Sequence, residues 1–119
     1  MGYFIFMTYA EKLKDPRWQK KRLEIMQRDE FSCQYCKEKS KSLHVHHKTY
    51  EFGNLPWDYE IDNFITLCED CHNEEEHNKI LFNYGIKYLL KNNVNYYELN
   101  GIINNKFLEV YKNKEVNNG

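Results

Sequence analysis

The sequence predicts a small α+β domain with a helix before it and a helical extension after it. All four cysteines and all five histidines of the 119 residues lie between Cys33 and His77. Two short runs within this stretch alternate like strands, whereas the flanking segments carry apolar residues at helical spacing. We therefore divide the chain into an N-terminal lead (1–14), a central domain (15–92) and a C-terminal helical extension (93–119).

The cysteines form two Cys-x-x-Cys pairs, Cys33 with Cys36 and Cys68 with Cys71, with 31 residues between the pairs. Each pair places two thiolates on one tight turn, and two such turns close a four-sulfur site around a structural Zn²⁺. A chain this short also gains stability from a cross-link such as a structural metal ion. The alternatives are disulfides, a redox pair, or one zinc site of mixed Cys and His ligands. We favour zinc because no secretory signal precedes the cysteines, and paired cysteines of reducing compartments usually bind metal.

The first element is a helix that begins at Asp15-Pro16, where an acceptor side chain precedes a proline at the first helical position. It is expected to run to about Arg28, with Trp18, Arg22 and Ile25 on one face. Its outer face is basic and is either solvated or in contact with a phosphate backbone. The candidate nucleic-acid contacts are Arg17, Lys20, Lys21 and Arg28, with Lys48 further along the chain.

The middle of the chain is expected to contain two short strands, 43–47 and 63–67, joined by a loop rich in aromatic residues. A helix should follow from His72 to about Asn92. After a break, Asn95-x-x-Glu98 is a capping signal for a last helix to about Lys112. Its apolar residues are interpreted as core packing or as half of a helical hairpin.

The charges are unevenly distributed. The net charge of −1 alone argues against a nucleic-acid binder. Residues 41–78, however, hold nine Asp/Glu against two Lys/Arg, whereas 1–40 and 79–119 each carry a net charge of +3. Bound cations would offset part of the acidic middle, and the basic flanks suit an approach to phosphates.

The histidines indicate a second metal site. His46 and His47 are adjacent on a strand, so their side chains diverge and one is free to bind a metal while the other faces a substrate. His72 begins a helix, and either Glu76 or His77 lies about one turn further on. Imidazoles with a carboxylate suit a divalent ion that keeps open positions. Such an ion stabilises a phosphoryl transition state, while a free histidine takes a proton from water.

Several elements in this order resemble the HNH endonuclease family, in its subclass with two zinc knuckles. The initial Asp15-Pro-Arg-Trp18 is similar to the lead helix of small members borne by phages and mobile elements. The elements that carry the resemblance are Cys33-x-x-Cys36, Leu43-x-Val-His-His47, Asn63 placed five residues before Cys68, and Leu67-Cys-x-x-Cys-His72.

The resemblance implies a ββα-metal core of two antiparallel strands and a helix around one divalent cation. It assigns His47 as the general base and Asn63 as the residue that orients the loop bearing the base. It assigns His46 and His72 as ligands of the catalytic cation, and the four cysteines as structural zinc ligands. Family members often carry a further histidine four residues after the last motif histidine. Glu76 stands there, with His77 one residue later, so either is the candidate third ligand.

The implied function is metal-dependent hydrolysis of DNA phosphodiester bonds with Mg²⁺, Mn²⁺, Zn²⁺ or Ni²⁺ as the catalytic cation. DNA is the expected partner, and a second copy of the chain or phage packaging and replication proteins are further candidates. We expect no membrane association and a cytoplasmic location in a bacterium or phage-infected host cell. The alternative is a non-catalytic zinc module that binds DNA or a protein. A zinc deaminase is disfavoured, because no His-x-Glu precedes a Pro-Cys-x-x-Cys.

Overall fold

The computed structural model describes residues 7–118, so residues 1–6 of the predicted lead lie outside it. These residues fall into two compact units that divide between Glu76 and His77. The predicted boundary at residue 92 is a different division and stays a prediction. The elements are α1 (Tyr9–Lys14), α2 (Pro16–Arg28), β1 (Leu43–His47), a 3-10 turn (Ile61–Asn63), β2 (Phe64–Cys68), α3 (Glu69–Lys91) and α4 (Tyr96–Asn118).

The two N-terminal helices are each started by a side-chain cap. Thr8 Oγ1 accepts a hydrogen bond from the backbone N–H of Glu11, which begins α1. Asp15 caps α2 by accepting from the N–H of Arg17 at 2.9 Å, and Pro16 occupies the first turn. The predicted start of α2 is thus confirmed. The sequence analysis assigned no helix to the lead, where the structure has the six-residue α1.

The strands β1 and β2 form an antiparallel pair in which Val45 faces Thr66 and His47 faces Phe64. The predicted α+β class is confirmed. The second strand begins one residue later than predicted, and α3 begins at Glu69 rather than at His72. The second Cys-x-x-Cys therefore bridges the end of β2 and the first turn of α3.

The core of the first unit has two parts. One joins α2 to the sheet through Trp18, Ile25, Val45 and Phe64, all nearly inaccessible to solvent. The other surrounds the cysteines, where Leu67 is fully buried beside Cys33 and Cys68. With so few large buried side chains, apolar burial alone gives this unit little stability.

An ion pair between the buried Asp29 and the half-buried guanidinium of Arg28 connects the end of α2 to β2. Asp29 accepts hydrogen bonds from Arg28 Nε at 2.8 Å and Nη2 at 2.9 Å, and from the backbone N–H of Thr66 at 2.9 Å. Arg28 also donates to the carbonyls of Ile61 and Phe64 at 2.7 Å. Burial alone would raise the pKa of Asp29, but the donors of Arg28 and Thr66 lower it below its ordinary value.

Replacing Asp29 with alanine should destabilise the zinc-loaded protein by about 3 kcal/mol, because it leaves a buried N–H and a half-buried guanidinium without their acceptor. Urea unfolding measures the loss. Glu24→Ala is the matched control, since Glu24 is exposed and pairs with Lys21 at 3.8 Å, an interaction worth less than about 1 kcal/mol. Equal stabilities of the two variants would contradict the structural role given to Asp29.

The second unit contains the C-terminal part of α3 and all of α4. Asn95 Oδ1 accepts from the N–H of Glu98 at 2.9 Å, which confirms the predicted cap of the last helix. This helix continues six residues beyond the predicted end at Lys112. Its apolar side chains are exposed, Ile102 by 70% and Phe107 by 61%, so the prediction of core packing is wrong for the described residues. None of the helices within residues 7–118 has the length and apolar composition needed to cross a membrane.

Candidate metal centres and active site

The four cysteines converge on one point. Their sulfur atoms lie within 4.8 Å of one another, and the sulfurs of Cys36 and Cys68 are 3.7 Å apart. Two thiolates on one tetrahedral zinc, each about 2.3 Å from the ion, lie about 3.8 Å apart. The cluster therefore has the size and the ligand chemistry of a structural Zn²⁺ site.

Both Cys-x-x-Cys turns point backbone N–H groups at their first sulfur. The N–H of Cys36 lies 3.5 Å from the sulfur of Cys33, and that of Cys71 lies 3.4 Å from the sulfur of Cys68. Burial would raise the pKa of Cys33, but the backbone N–H donors of Cys36, Cys68 and Tyr35 lower it to about 6. Hydrogen bonding to Cys68, together with burial, raises the pKa of Cys71 to about 12. Four thiolates at this spacing need a divalent cation among them.

A second cluster joins β1 to α3. Nitrogen and oxygen ligand atoms of His46, His72 and Glu76 lie within 4.8 Å of one another. His46 comes from the strand, and the other two residues lie one turn apart on the helix. Of the two candidates for the third ligand, Glu76 is therefore the one that belongs to this cluster.

The environment of His46 suits a metal ligand. Its Nδ1 is buried, makes no hydrogen bond within the part of the chain that the structure describes, and lies 3.5 Å from Glu76 Oε1. A divalent ion held by both atoms at about 2.1 Å would place them at about this separation. Burial, and secondarily the charge of His72, lowers the pKa of His46. Its imidazole is thus neutral at pH 7, the form that binds metal.

His47 is held on the other side of β1. Its ring is 4% exposed and stacks on Trp18, with 5.1 Å between ring centroids and 15° between planes. Its Nε2 lies 2.7 Å from the carbonyl oxygen of Pro56. Because a carbonyl only accepts, this nitrogen carries the proton and Nδ1 keeps its lone pair. Burial lowers the pKa of His47, which the Pro56 bond opposes, so the ring is a neutral base at pH 7.

Asn63 fastens the loop that follows His47. Its side-chain oxygen accepts from Thr49 Oγ1 at 2.6 Å and from the Thr49 N–H at 3.2 Å. Its side-chain nitrogen donates to the Thr49 carbonyl at 2.9 Å, and its own carbonyl accepts from the N–H of Lys48. These bonds clamp the exit of β1 to the entry of β2, which agrees with the orienting role that the resemblance implies.

The histidines of both sides meet at one cavity of about 530 Å³. Its wall contains His46, His72 and Glu76 together with His47. The candidate cation site and the candidate base thus line the same cavity.

The cysteine spacing, the two histidine positions and the ββα arrangement occur within one segment, and residues 33–78 match the family model described as HNH endonuclease. Residues 33–78 are thus recognised as an HNH endonuclease domain. No curated protein and no solved structure matches the chain.

The HNH domain receives part of its cavity wall from outside the matched segment. Trp18 of α2 and Tyr9 of α1 line the cavity and precede the first zinc cysteine. The lead helices are thus structural partners of the HNH domain, not a detached N-terminal segment.

The five basic residues predicted to contact nucleic acid are not among the described residues that line this cavity. Arg17 pairs with Asp15 at 2.9 Å and lies over the ring of Trp57. The guanidinium of Arg28 donates to the backbone carbonyl of Phe64. Lys20 and Lys48 are exposed, and Lys21 lines a separate acidic cavity. Contact of these five residues with nucleic acid stays a prediction.

Arg22 and His44 are among the residues of this cavity that the sequence analysis did not name as candidate site residues. His44 is two residues before His46, hence on the same strand face, and its ring stacks on His72 at 5.4 Å. Arg22 is one turn after Trp18 on the same helical face. Strand alternation and helical spacing were therefore the available signals, although neither reveals which element packs opposite.

Proposed function

We propose that this protein is a metal-dependent endonuclease that hydrolyses phosphodiester bonds of DNA. The observation that carries the proposal is the shared cavity. It joins three candidate metal ligands to a histidine whose only protonated nitrogen is already bound to a backbone carbonyl. The match to the HNH endonuclease model supports the choice of DNA as substrate.

In this mechanism His46, His72 and Glu76 would hold the divalent cation, which when bound supplies Lewis-acid stabilisation of charge on the phosphate and on the leaving oxygen. Nδ1 of His47 accepts a proton from the attacking water as its oxygen bonds to phosphorus. The bond from phosphorus to the 3′ oxygen breaks, and this oxygen takes a proton from solvent water, leaving a 5′-phosphate and a 3′-hydroxyl. The Pro56 carbonyl stabilises the imidazolium that forms and fixes the ring orientation. Trp18 and Phe64 pack on the ring and limit its alternative rotamers.

Cleavage of supercoiled plasmid with added Mg²⁺ or Mn²⁺ tests this function. Zinc-loaded protein should produce nicked or linear plasmid, and the chelation of divalent cations should stop the reaction. Folded, zinc-loaded protein that cleaves nothing with either ion would contradict the proposal. The binding of plasmid without cleavage would then favour the non-catalytic zinc module.

Glu76 is proposed as the third ligand, and a matched pair of variants tests it. Glu76→Gln should raise the Mn²⁺ concentration for half-maximal cleavage by at least about tenfold, since even indirect partners of metal ligands contribute ten- to hundredfold. His77→Gln changes the neighbouring residue to the same side chain and should shift that concentration less than about twofold. Metal titration of the initial cleavage rate measures both. A larger shift for His77→Gln would make His77 the ligand.

A further inference from the structure

Arg22 is held beside the candidate base by its own helix. Trp18 stacks on His47, and Arg22 lies four residues later, one turn along the same face of α2. The stacked indole therefore fixes the position of this turn relative to the cavity. The Arg22 side chain is half-buried and lines the cavity that His46, His47 and Glu76 also line.

A chain of two hydrogen bonds orients the Arg22 guanidinium. Nη1 of Arg22 donates to Gln19 Oε1 at 2.7 Å, and Gln19 Nε2 donates to the carbonyl oxygen of Leu13 at 2.8 Å. Leu13 belongs to α1, so the end of this short helix fixes the orientation of the Gln19 side-chain amide. The amide in turn fixes the orientation of the Arg22 guanidinium. The remaining N–H donors of Arg22 are not used by this chain of bonds.

The partner of the Arg22 guanidinium differs from the partners of the other two arginines. Arg17 and Arg28 pair with Asp15 and Asp29, whereas Arg22 forms no ion pair with a carboxylate within residues 7–118. Its oriented partner, Gln19, is neutral. A guanidinium with unused, planar N–H donors at the wall of a cavity is suited to two oxygens of a phosphate group.

We propose, on the basis of the nuclease function proposed above, that Arg22 binds a non-bridging oxygen of the scissile phosphate and that Gln19 is its positioning residue. The guanidinium attracts the anionic diester to a segment whose charged side chains are mainly acidic, residues 41–78. It also donates to the oxygen on which negative charge increases during attack.

The test compares two substrates, supercoiled plasmid and the small diester bis(4-nitrophenyl) phosphate, with the zinc-loaded full chain. Arg22→Gln should slow hydrolysis of both by about 10²–10³-fold, the loss typical of a donor to a developing oxyanion. Arg22→Lys keeps the positive charge but lacks the planar arrangement of N–H donors, so its hydrolysis rates should lie between those of Arg22→Gln and wild type. Lys39→Ala removes one exposed positive charge from the first zinc loop and should change either rate less than about threefold.

The small diester separates a phosphate contact from a contact elsewhere on DNA. Loss of plasmid cleavage with an unchanged rate on the small diester would overturn the assignment of Arg22 to the scissile phosphate. An unchanged rate of Arg22→Gln on both substrates would overturn it as well, while leaving the nuclease function intact. Failure of the wild type on both substrates would instead contradict the proposed function. Arg22→Lys provides the same test should Arg22→Gln not fold.

The positioning role of Gln19 is tested by comparing the effect of Gln19→Ala in the wild type with its effect in the Arg22→Gln variant. Gln19→Ala should reduce kcat for the small diester about tenfold in the wild type, with an unchanged melting temperature, because Arg22 loses its orienting acceptor. In the Arg22→Gln background the same change should have no further effect. A purely structural role of Gln19 would lower the melting temperature and would reduce the rate equally in both backgrounds.

Discussion

His47→Ala should abolish plasmid cleavage while leaving the zinc content unchanged. The variant loses Nδ1, the only nitrogen of that ring free to accept a proton from water, since Nε2 donates to Pro56. General bases contribute about 10²–10⁴-fold to such reactions. Initial rates at saturating Mn²⁺, with nicked and linear forms resolved on a gel, measure the loss.

The His47 ring also packs in the core, so a second variant is needed. His47→Phe keeps an aromatic ring between Trp18 and Phe64 but has no acceptor nitrogen. It should retain the melting temperature more closely than His47→Ala and be as inactive. Persistent cleavage by pure samples of either variant would remove the assignment of His47 as the base.

Cys68→Ser should unfold the first unit at 25 °C. Cys68 is fully buried, its sulfur accepts from the N–H of Cys71, and it lies 3.7 Å from the sulfur of Cys36. Binding of a structural zinc contributes about 10–16 kcal/mol, as much as the whole stability of a typical domain. Circular dichroism and bound zinc per chain measure the effect.

Chelation provides the matching experiment on the unchanged chain. Removal of zinc from the wild type should reproduce the unfolded spectrum, and added zinc should restore the folded one. The same addition should not rescue Cys68→Ser. A Cys68→Ser protein with wild-type zinc content and melting temperature would show that the cysteine cluster is not the staple of this fold.

Features that lie within one element or one turn were predictable from the sequence. The Asp15-Pro16 start of α2, the strand of His46 and His47, and each of the two Cys-x-x-Cys turns depend on local spacing. Each needs only the geometry of a helix, a strand or a tight turn.

Features that join distant elements were not predictable in the same way. Arg28 was expected to face nucleic acid, but its guanidinium bonds the carbonyl of Phe64, 36 residues away. Arg22 was placed on an apolar face, yet the cavity beside that face exists only when α2 packs on the sheet. Spacing gives the side of a helix on which a residue lies, whereas the tertiary fold decides what is opposite.

The direct passage from β2 into α3 has a consequence for how the protein acquires its ions. Cys71, a candidate zinc ligand, and His72, a candidate ligand of the catalytic cation, are consecutive residues in the first turn of one helix. Zinc at the first site would set the orientation of that turn and thereby pre-organise the second site. By thermodynamic reciprocity, occupation of the second site strengthens retention of zinc by the same factor. Zinc bound at the cysteines would therefore favour binding of a cation at the neighbouring site, and loss of the zinc would weaken that binding.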